Sequence, residues 1–437
     1  MIDKKFRIIT LGCKVNQYES AFFRERLVED GWQEAGEDDE AEVIIINTCI
    51  VTQKAAYQSR QAIRRAIREN PGGIVAAVGC YAQLSPHELS QIDGIGIIAG
   101  NRDKSRLPDI IKTHDRLSGT LIFRKEFEKE TSFDFLPIKT FSDRTRAYLK
   151  IQDGCQSFCS YCIVPFTRGP CRSLEPDIVI RQCKSLCDNG YREIVLTGVH
   201  LGKYGSDLEG DINLKGLLKR VGKESPGSRI RLSSLEPKEI DLELIEMVGS
   251  EDWLCRHFHI PLQSGDDVVL QKMNRHYSSK DFAALIKNIK SIIPDAAIGV
   301  DIIAGFPGED DRAFGNTFSL IRDLPVSYLH VFPFSTRKGT RAADLPGQVD
   351  QKAIKKRAGD LRGLGKEKRQ DFYLSCLGKL FSVLTEGWYS EANSLVKGHS
   401  DNYVPVIFPS SVLMKNSMVN VKLKKLDKNG IIGEPME

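Results

Sequence analysis

The chain has 437 residues, 41% of them hydrophobic and 27% charged. That is enough for two or three domains with cores of their own, and it excludes an intrinsically disordered or collagen-like polypeptide. No apolar run approaches a membrane span and Met1-Ile-Asp-Lys-Lys-Phe6 opens no signal peptide, so no membrane partner is expected and the cytoplasm is the expected compartment. The net charge of +4 is too small to establish a nucleic-acid partner, and eleven cysteines in a reducing compartment argue for metal or redox use rather than disulfides.

The first section repeats one pattern three times. Residues 6–13, 42–49 and 73–80 each read as a short β-branched strand ending in a cysteine: Cys13, Cys49 and Cys80. Runs without polar alternation fit a parallel sheet covered on both faces. Helical patterns at 17–30 and 53–69 separate them, stopped by Gly31 and by Asn70-Pro71-Gly72-Gly73. The expectation is an open parallel α/β sheet, whose ligands bind beyond the carboxyl ends of the strands, so the three cysteines should meet on one edge.

Residues 124–131 and Pro137 read as a linker. Six strand candidates follow, at 147–152, 193–197, 229–233, 257–262, 296–304 and 328–334, alternating with helical patterns at 176–189, 238–248, 282–292 and 312–323. Six βα units predict a partial (βα)6 TIM-like barrel with its reactive face at the strand ends. A helical stretch at 352–369 is dense in Lys and Arg. Beyond residue 370 short alternating strands at 381–386, 394–397, 403–407 and 418–423 predict a small antiparallel β-barrel. The domains are therefore placed at 1–125, 140–370 and 371–437.

The most informative motif is Cys155-Gln-Ser-Phe-Cys159-Ser-Tyr-Cys162, directly after the first barrel strand. Three thiolates on one loop can hold three irons of a four-iron cubane and leave the fourth open to a small molecule. Structural zinc usually takes four ligands as two Cys pairs, and no second pair follows here. The Cys-x3-Cys-x2-Cys spacing with Tyr161 before its last cysteine resembles the radical S-adenosylmethionine (SAM) superfamily. That resemblance implies that SAM chelates the open iron and is cleaved reductively to a 5′-deoxyadenosyl radical. It also points to segments after successive strands as SAM contacts: Thr197-Gly198-Val199 near the amino group, and Ser233, Ser234 and Glu236 near the ribose or carboxylate. Gln263 follows the fourth strand, and Gly305 follows the fifth, near the adenine. Singly, such Gly and Pro runs after strands usually only make turns.

Cys13, Cys49 and Cys80 could be buried core cysteines, but three cysteines each just past a parallel strand fit a second three-thiolate cluster better. Cys171, Cys183, Cys187, Cys255 and Cys376 show no such pattern. Together, Leu11-Gly12-Cys13-Lys14-Val15-Asn16, Asn47-Thr48-Cys49, Gly79-Cys80-Tyr81 and Gly154-Cys155 through Pro165-Phe166-Thr167-Arg168-Gly169 resemble the methylthiotransferases over the whole chain. The resemblance implies two 4Fe-4S clusters, SAM, and a C-terminal TRAM barrel. The Gly12-Cys13-Lys14-Val15-Asn16 run resembles the branch acting on N6-threonylcarbamoyladenosine in the tRNA anticodon stem-loop. It further implies an electron donor of flavodoxin or ferredoxin type and a sulfur source. The alternatives are the same chemistry on isopentenyladenosine or a ribosomal-protein aspartate, or an RNA-binding protein whose clusters only stabilise its fold. Basic clusters at Lys54 to Arg68, Lys352 to Arg369 and Lys422 to Lys428 supply candidate phosphate contacts, though each alone is more often a solvated face.

Overall fold

The computed structural model describes residues 4–436 apart from 37–38, 115–118, 129–131, 142–143 and 225–226, so the end of the expected linker lies outside the described residues. The first section is a six-stranded all-parallel sheet of β1 (Lys5–Thr10), β2 (Gln33–Glu34), β3 (Val43–Thr48), β4 (Ile74–Gly79), β5 (Ile95–Ala99) and β6 (Leu121–Phe123). The order is β2-β1-β3-β4-β5-β6. Every residue of β3 and β4 is buried, as unbroken Val-Ile-Ile-Ile and Ile-Val-Ala-Ala-Val runs require when helices cover both faces. The three strands expected from the sequence are the first three long ones. β2, β5 and β6 are additions, too short or too glycine-broken to register as periodic runs. Helix Lys14–Glu29 begins three residues earlier than the pattern indicated, immediately after Cys13, and helix Gln53–Glu69 has the expected bounds.

The central section holds β7 (Ala147–Lys150), the short antiparallel pair β8 (Gln152–Asp153) and β9 (Arg172–Ser173), then β10 (Glu193–Thr197), β11 (Arg229–Leu232), β12 (His257–Gln263), β13 (Ala297–Ala304) and β14 (Tyr328–Pro333). Six parallel strands form two half-sheets, β11-β10-β7 and β12-β13-β14, and Ile230 of β11 makes an isolated parallel bridge to Leu254, on the approach to β12. This is the expected incomplete barrel, with β7 and β14 as its outer strands. One apolar core runs without a break from Phe6, Tyr18 and Phe23 beneath the first sheet to Leu149, Ile194, Leu196 and Ile298. Each such side chain contributes about 1.5–3 kcal/mol on burial, so the first two sections are held together as one body.

Five strands, β15 (Leu380–Ser390), β16 (Leu395–Ser400), β17 (Pro405–Pro409), β18 (Met418–Asp427) and β19 (Gly430–Pro435), close into a small barrel. The fifth strand was not expected, because Gly430, Gly433 and Pro435 disguise it, and its pairing with β17 is parallel rather than antiparallel. This barrel docks on the amino ends of the central strands. Arg229 donates to the carbonyls of Ser382 and His399, and Arg231 to those of Asp401 and Ser400. Both guanidiniums are paired with the buried Glu193. The basic stretch lies within helix Gln351–Ser375, but two of its cations face inward. Arg357 is buried against Glu309 and Asp311, and Lys368 caps the carbonyls of Arg322 and Leu324.

Candidate active site

Two cysteine loops face each other across the junction of the first sheet and the central barrel. In the first, Gly12 turns at a φ of +95°, and a Cβ there would fall 2.9 Å from that of Cys49. The Cys13 and Cys49 loops are thus in contact, and only glycine permits it. Cys80 opens a short helix directly after β4, and Asn101 Nδ2 lies 3.6 Å from its sulfur. Burial and the nearby Cys80 sulfur push the Cys49 thiol up to about 12. Three thiolates crowded this way repel one another, and a multiply charged metal group that replaces their protons relieves the repulsion.

The second loop starts at Gly154, whose φ is +79° and whose added Cβ would sit 1.8 Å from the Pro170 carbonyl oxygen. Cys155 donates its N–H to the Gly169 carbonyl, and Cys162 donates to that of Cys159. Asn274 donates to the carbonyls of Ser157 and Phe158, which holds Phe158 at a φ of +46°. His200 Nδ1 lies 3.4 Å from Cys155 Sγ, and its Nε2 lies 2.6 Å from Glu239. Burial would push the Cys155 thiol up, but His200 and the Ser157 N–H outweigh it and favour the thiolate. Arg275 Nη1 donates to Cys159 Sγ at 3.4 Å. Cationic donors on two of three sulfurs suit a thiolate-ligated cluster.

The expected SAM residues line the same face. Thr197 is buried at the end of β10, and a Cβ on Gly198 would approach Gln152 Oε1 at 2.9 Å; Val199 follows, half-buried. Ser233 is buried and its Oγ has no hydrogen-bond partner among the described residues, an orphan that a bound ligand would satisfy. Ser234 is bonded to His259 Nδ1 at 2.8 Å, and Glu236 is clasped by Arg275. Gln263 turns at a φ of +68°, the Tyr161 ring meets Phe306 edge-on, and Gly305 is approached by Ile354 of the basic helix. These donors and acceptors fit SAM on the Cys155 side.

A buried ionic network that sequence reasoning missed fastens the two loops together. Arg168, six residues beyond Cys162, donates to Asn16 Oδ1 at 2.8 Å, to Glu19 at 3.0 Å and to Asp153 at 3.1 Å. Glu19 also pairs with Lys104 and Lys150. Burial alone would raise the Glu19 carboxyl, but Arg168, Lys104 and Lys150 hold it below the usual carboxylate range. Asn101 joins the same junction, donating to the Thr167 carbonyl at 2.7 Å. His200 adjoins the Thr197-Gly198-Val199 segment and Arg168 lies in the Pro165–Gly169 run, both legible in the sequence, whereas nothing in the sequence singled out Arg275. The signal for the network was Lys150 inside the apolar run Ala147-Tyr148-Leu149-Lys150-Ile151.

Comparison with known proteins follows the same division. Residues 5–100 match the model of an uncharacterized protein family, UPF0004, and residues 149–321 match that of the radical SAM superfamily. Among curated relatives, the threonylcarbamoyladenosine tRNA methylthiotransferase MtaB of Bacillus subtilis is 38% identical, covering 95% of this chain and 93% of the relative. The tRNA-2-methylthio-N(6)-dimethylallyladenosine synthase of Clostridium botulinum is 31% identical, over 100% of this chain and 96% of the relative. Among solved structures, the radical SAM methyltransferase TsrM from Kitasatospora setae, with cobalamin and a [4Fe-4S] cluster bound, superposes with a TM-score of 0.56. It covers 78% of this chain and 77% of that one at 14% identity, a likeness of fold alone. No helix among the described residues is long and apolar enough to cross a membrane. With relatives this similar over nearly their whole length, the chain belongs to the methylthiotransferase family of radical SAM enzymes, which use SAM and 4Fe-4S clusters.

Proposed function

We propose that this enzyme adds a methylthio group to carbon 2 of N6-threonylcarbamoyladenosine beside the anticodon of tRNA. Cys155, Cys159 and Cys162 would hold the cluster that binds SAM, and Cys13, Cys49 and Cys80 the cluster that carries the sulfur. When bound, the first group supplies the open iron and the electron that cleave SAM. The observation that carries this reading is the bridging of the two cysteine loops by Arg168 and Asn101. A target base held at that junction would meet a radical source on one side and a sulfur carrier on the other. The similarity to threonylcarbamoyladenosine enzymes supports the choice of nucleoside.

The protein's own residues set the stage. His200 favours the thiolate at Cys155, Arg275 offsets part of the burial that pushes the Cys159 thiol up, Ser233 and the Thr197-Gly198-Val199 turn offer polar contacts to SAM, and the Glu19–Arg168 network fixes the spacing of the loops. For RNA, Lys352, Lys355, Lys356, Lys366 and Arg369 remain exposed on the long helix, and Lys422, Lys425 and Lys428 on the small barrel. A flavodoxin- or ferredoxin-like reductant and a sulfur source complete the cycle.

Anaerobically reconstituted protein should hold about eight irons, four in each cluster. Replacing Cys155, Cys159 and Cys162 with Ala should halve the iron and abolish 5′-deoxyadenosine. Replacing Cys13, Cys49 and Cys80 should abolish the methylthio product while some SAM cleavage survives. Persistent SAM cleavage in the first variant, or normal product in the second, sinks the assignment. Nucleoside mass spectrometry of tRNA exposed to the enzyme then decides between threonylcarbamoyl and isopentenyl substrates.

A further inference from the structure

The open side of the incomplete barrel carries a row of aromatic rings. β14 is an outer strand of its half-sheet, and residues two apart on a strand share one face. Tyr328, His330 and Phe332 therefore stand on the same face, paired in register with Gly299, Asp301 and Ile303 of β13. The Tyr328 ring lies over Gly299, where a Cβ would fall 2.1 Å from its Cζ, and its hydroxyl bonds His257 Nε2 at 2.8 Å. His330 Nδ1 bonds Asp301 at 3.2 Å, and the His330 and Tyr328 ring centroids are 5.3 Å apart. Toward the reactive face the rings emerge into solvent: the His330 side chain is 51% exposed and Phe332 is 45% exposed. A lone exposed phenylalanine is ordinary on a protein surface. A row at the strand period that joins two further features is not.

At the amino end of the row a cavity of about 390 Å³ opens between β14, the long helix and the small barrel, lined by Tyr328, His330, Tyr403, Arg362, Lys366 and Arg369. The three cations are spaced i, i+4 and i+7, so they share one helix face, and all are exposed. Among the described residues none of them forms an ion pair, and the bond they make is from Arg362 to the Val331 carbonyl at 3.3 Å. At the other end, the loop after β14 reaches both cysteine loops. Ser335 Oγ accepts from the Gln53 N–H at 3.0 Å and the Thr336 carbonyl from Gln53 Nε2 at 2.9 Å, just beyond Cys49. The Ala342 N–H donates to the Ser160 carbonyl, between Cys159 and Cys162, at 2.7 Å. On that loop Arg337 holds a buried Nη2 with no hydrogen-bond partner among the described residues, a donor that a phosphate oxygen would satisfy.

We propose that β14 is the track of the unpaired RNA strand that delivers the target base, with His330 and Phe332 stacking on flanking bases and Arg362, Lys366 and Arg369 holding the phosphates behind them. This rests on the tRNA reading above. Aromatic rings on a sheet stack unpaired bases whatever their sequence, and free cations beside them follow the backbone. The six residues of β14 span roughly 20 Å at about 3.3 Å each, room for more than one base on the way from the cavity to the cysteine loops. A regular duplex keeps its bases stacked on one another and has none to give the row, so the row selects a loop.

The test measures binding of an anticodon stem-loop, and of a fully paired RNA of equal charge, by fluorescence anisotropy against salt. The proteins are cluster-loaded wild type, Phe332→Ala, Phe332→Tyr and the triple variant Arg362→Ala/Lys366→Ala/Arg369→Ala. Iron content and circular dichroism report the integrity of each. Wild type should prefer the stem-loop to the paired RNA. Phe332→Ala should weaken stem-loop binding about 5- to 150-fold, the worth of one stacked base, with the salt slope unchanged because stacking releases no counterions. Phe332→Tyr should restore most of that affinity. The triple variant should lower the slope of log affinity by roughly 2, at about 0.7 per single-strand contact. Unchanged stem-loop affinity in Phe332→Ala overturns the proposal, as does an equal loss on paired RNA or an unchanged slope in the triple variant. A Phe332→Ala enzyme that binds RNA normally but is reduced more slowly by flavodoxin also overturns it, and makes the row a docking site for the electron donor. Wild type that neither binds nor methylthiolates any anticodon stem-loop would remove the tRNA reading itself, a result distinct from all of these.

Discussion

Replacing Glu19 with Gln should cost about 3–5 kcal/mol at neutral pH, the range for removing one partner of a buried ion pair. The side chain is 1% exposed and keeps its volume, so the loss is electrostatic. In the wild type the carboxylate faces Lys104, Lys150 and Arg168, while Asp153 serves Lys150, Arg168 and Arg172 at 3.2, 3.1 and 3.6 Å. The substitution leaves Lys150, Arg168 and Arg172 on Asp153 and takes from the buried Lys104 its carboxylate partner, which places the cost at the upper end. The pH dependence is a second signature. Burial raises the Glu19 carboxyl, but its three cations more than reverse this, so its folded value lies below the ordinary 4.5. Its stabilisation is therefore fully present above 4.5 and is lost as pH falls through the folded value. Urea midpoints of both proteins at pH 7 and pH 4 measure this, and the gap between them should narrow at the lower pH. Because Arg168 also loses an anchor between the cysteine loops, methylthio product should fall more than 5′-deoxyadenosine. A gap under about 0.5 kcal/mol, the size of an ordinary surface change, or one unchanged between the two pH values, refutes the reasoning.

Gly154→Ala should displace the Cys155 loop, because its Cβ would overlap the Pro170 carbonyl at 1.8 Å; iron should drop from about eight to about four per chain. His257 is buried, and burial with Arg231 nearby keeps its imidazole well below 6.5, so the unfolded chain alone takes that proton in acid. Stability should fall as pH drops below about 6.5, by up to about 1.4 kcal/mol per unit from this group, and His257→Gln should flatten the melting-temperature profile there. Changing Lys422, Lys425 and Lys428 to Ala should lower the salt slope of log tRNA affinity by roughly 2 to 3, at about 0.7–0.9 per phosphate contact. Lys424 is a poorer choice because it pairs with Glu434, and truncating the whole tail would strip Arg229 and Arg231 of the carbonyls they bond.

Local rules made much of this protein legible from the chain alone. Unbroken β-branched runs such as Val43-Ile-Ile-Ile46 announce buried parallel strands, because only a doubly covered sheet keeps them dry. The spacing of Cys155, Cys159 and Cys162 is a property of one loop, and Cys13, Cys49 and Cys80 share a sheet edge because strand polarity puts them there. Short elements such as β6 and β19 escaped because three residues, or six with two glycines, carry too little periodicity. What only the tertiary structure decided is which charges belong together. Glu19, Lys104, Lys150 and Arg168 are scattered across the chain, and apart from Lys150 in its apolar run none of them shows by its own neighbours that it is buried and paired. A charge is solvated or buried according to what long-range packing places around it, and no local pattern encodes that.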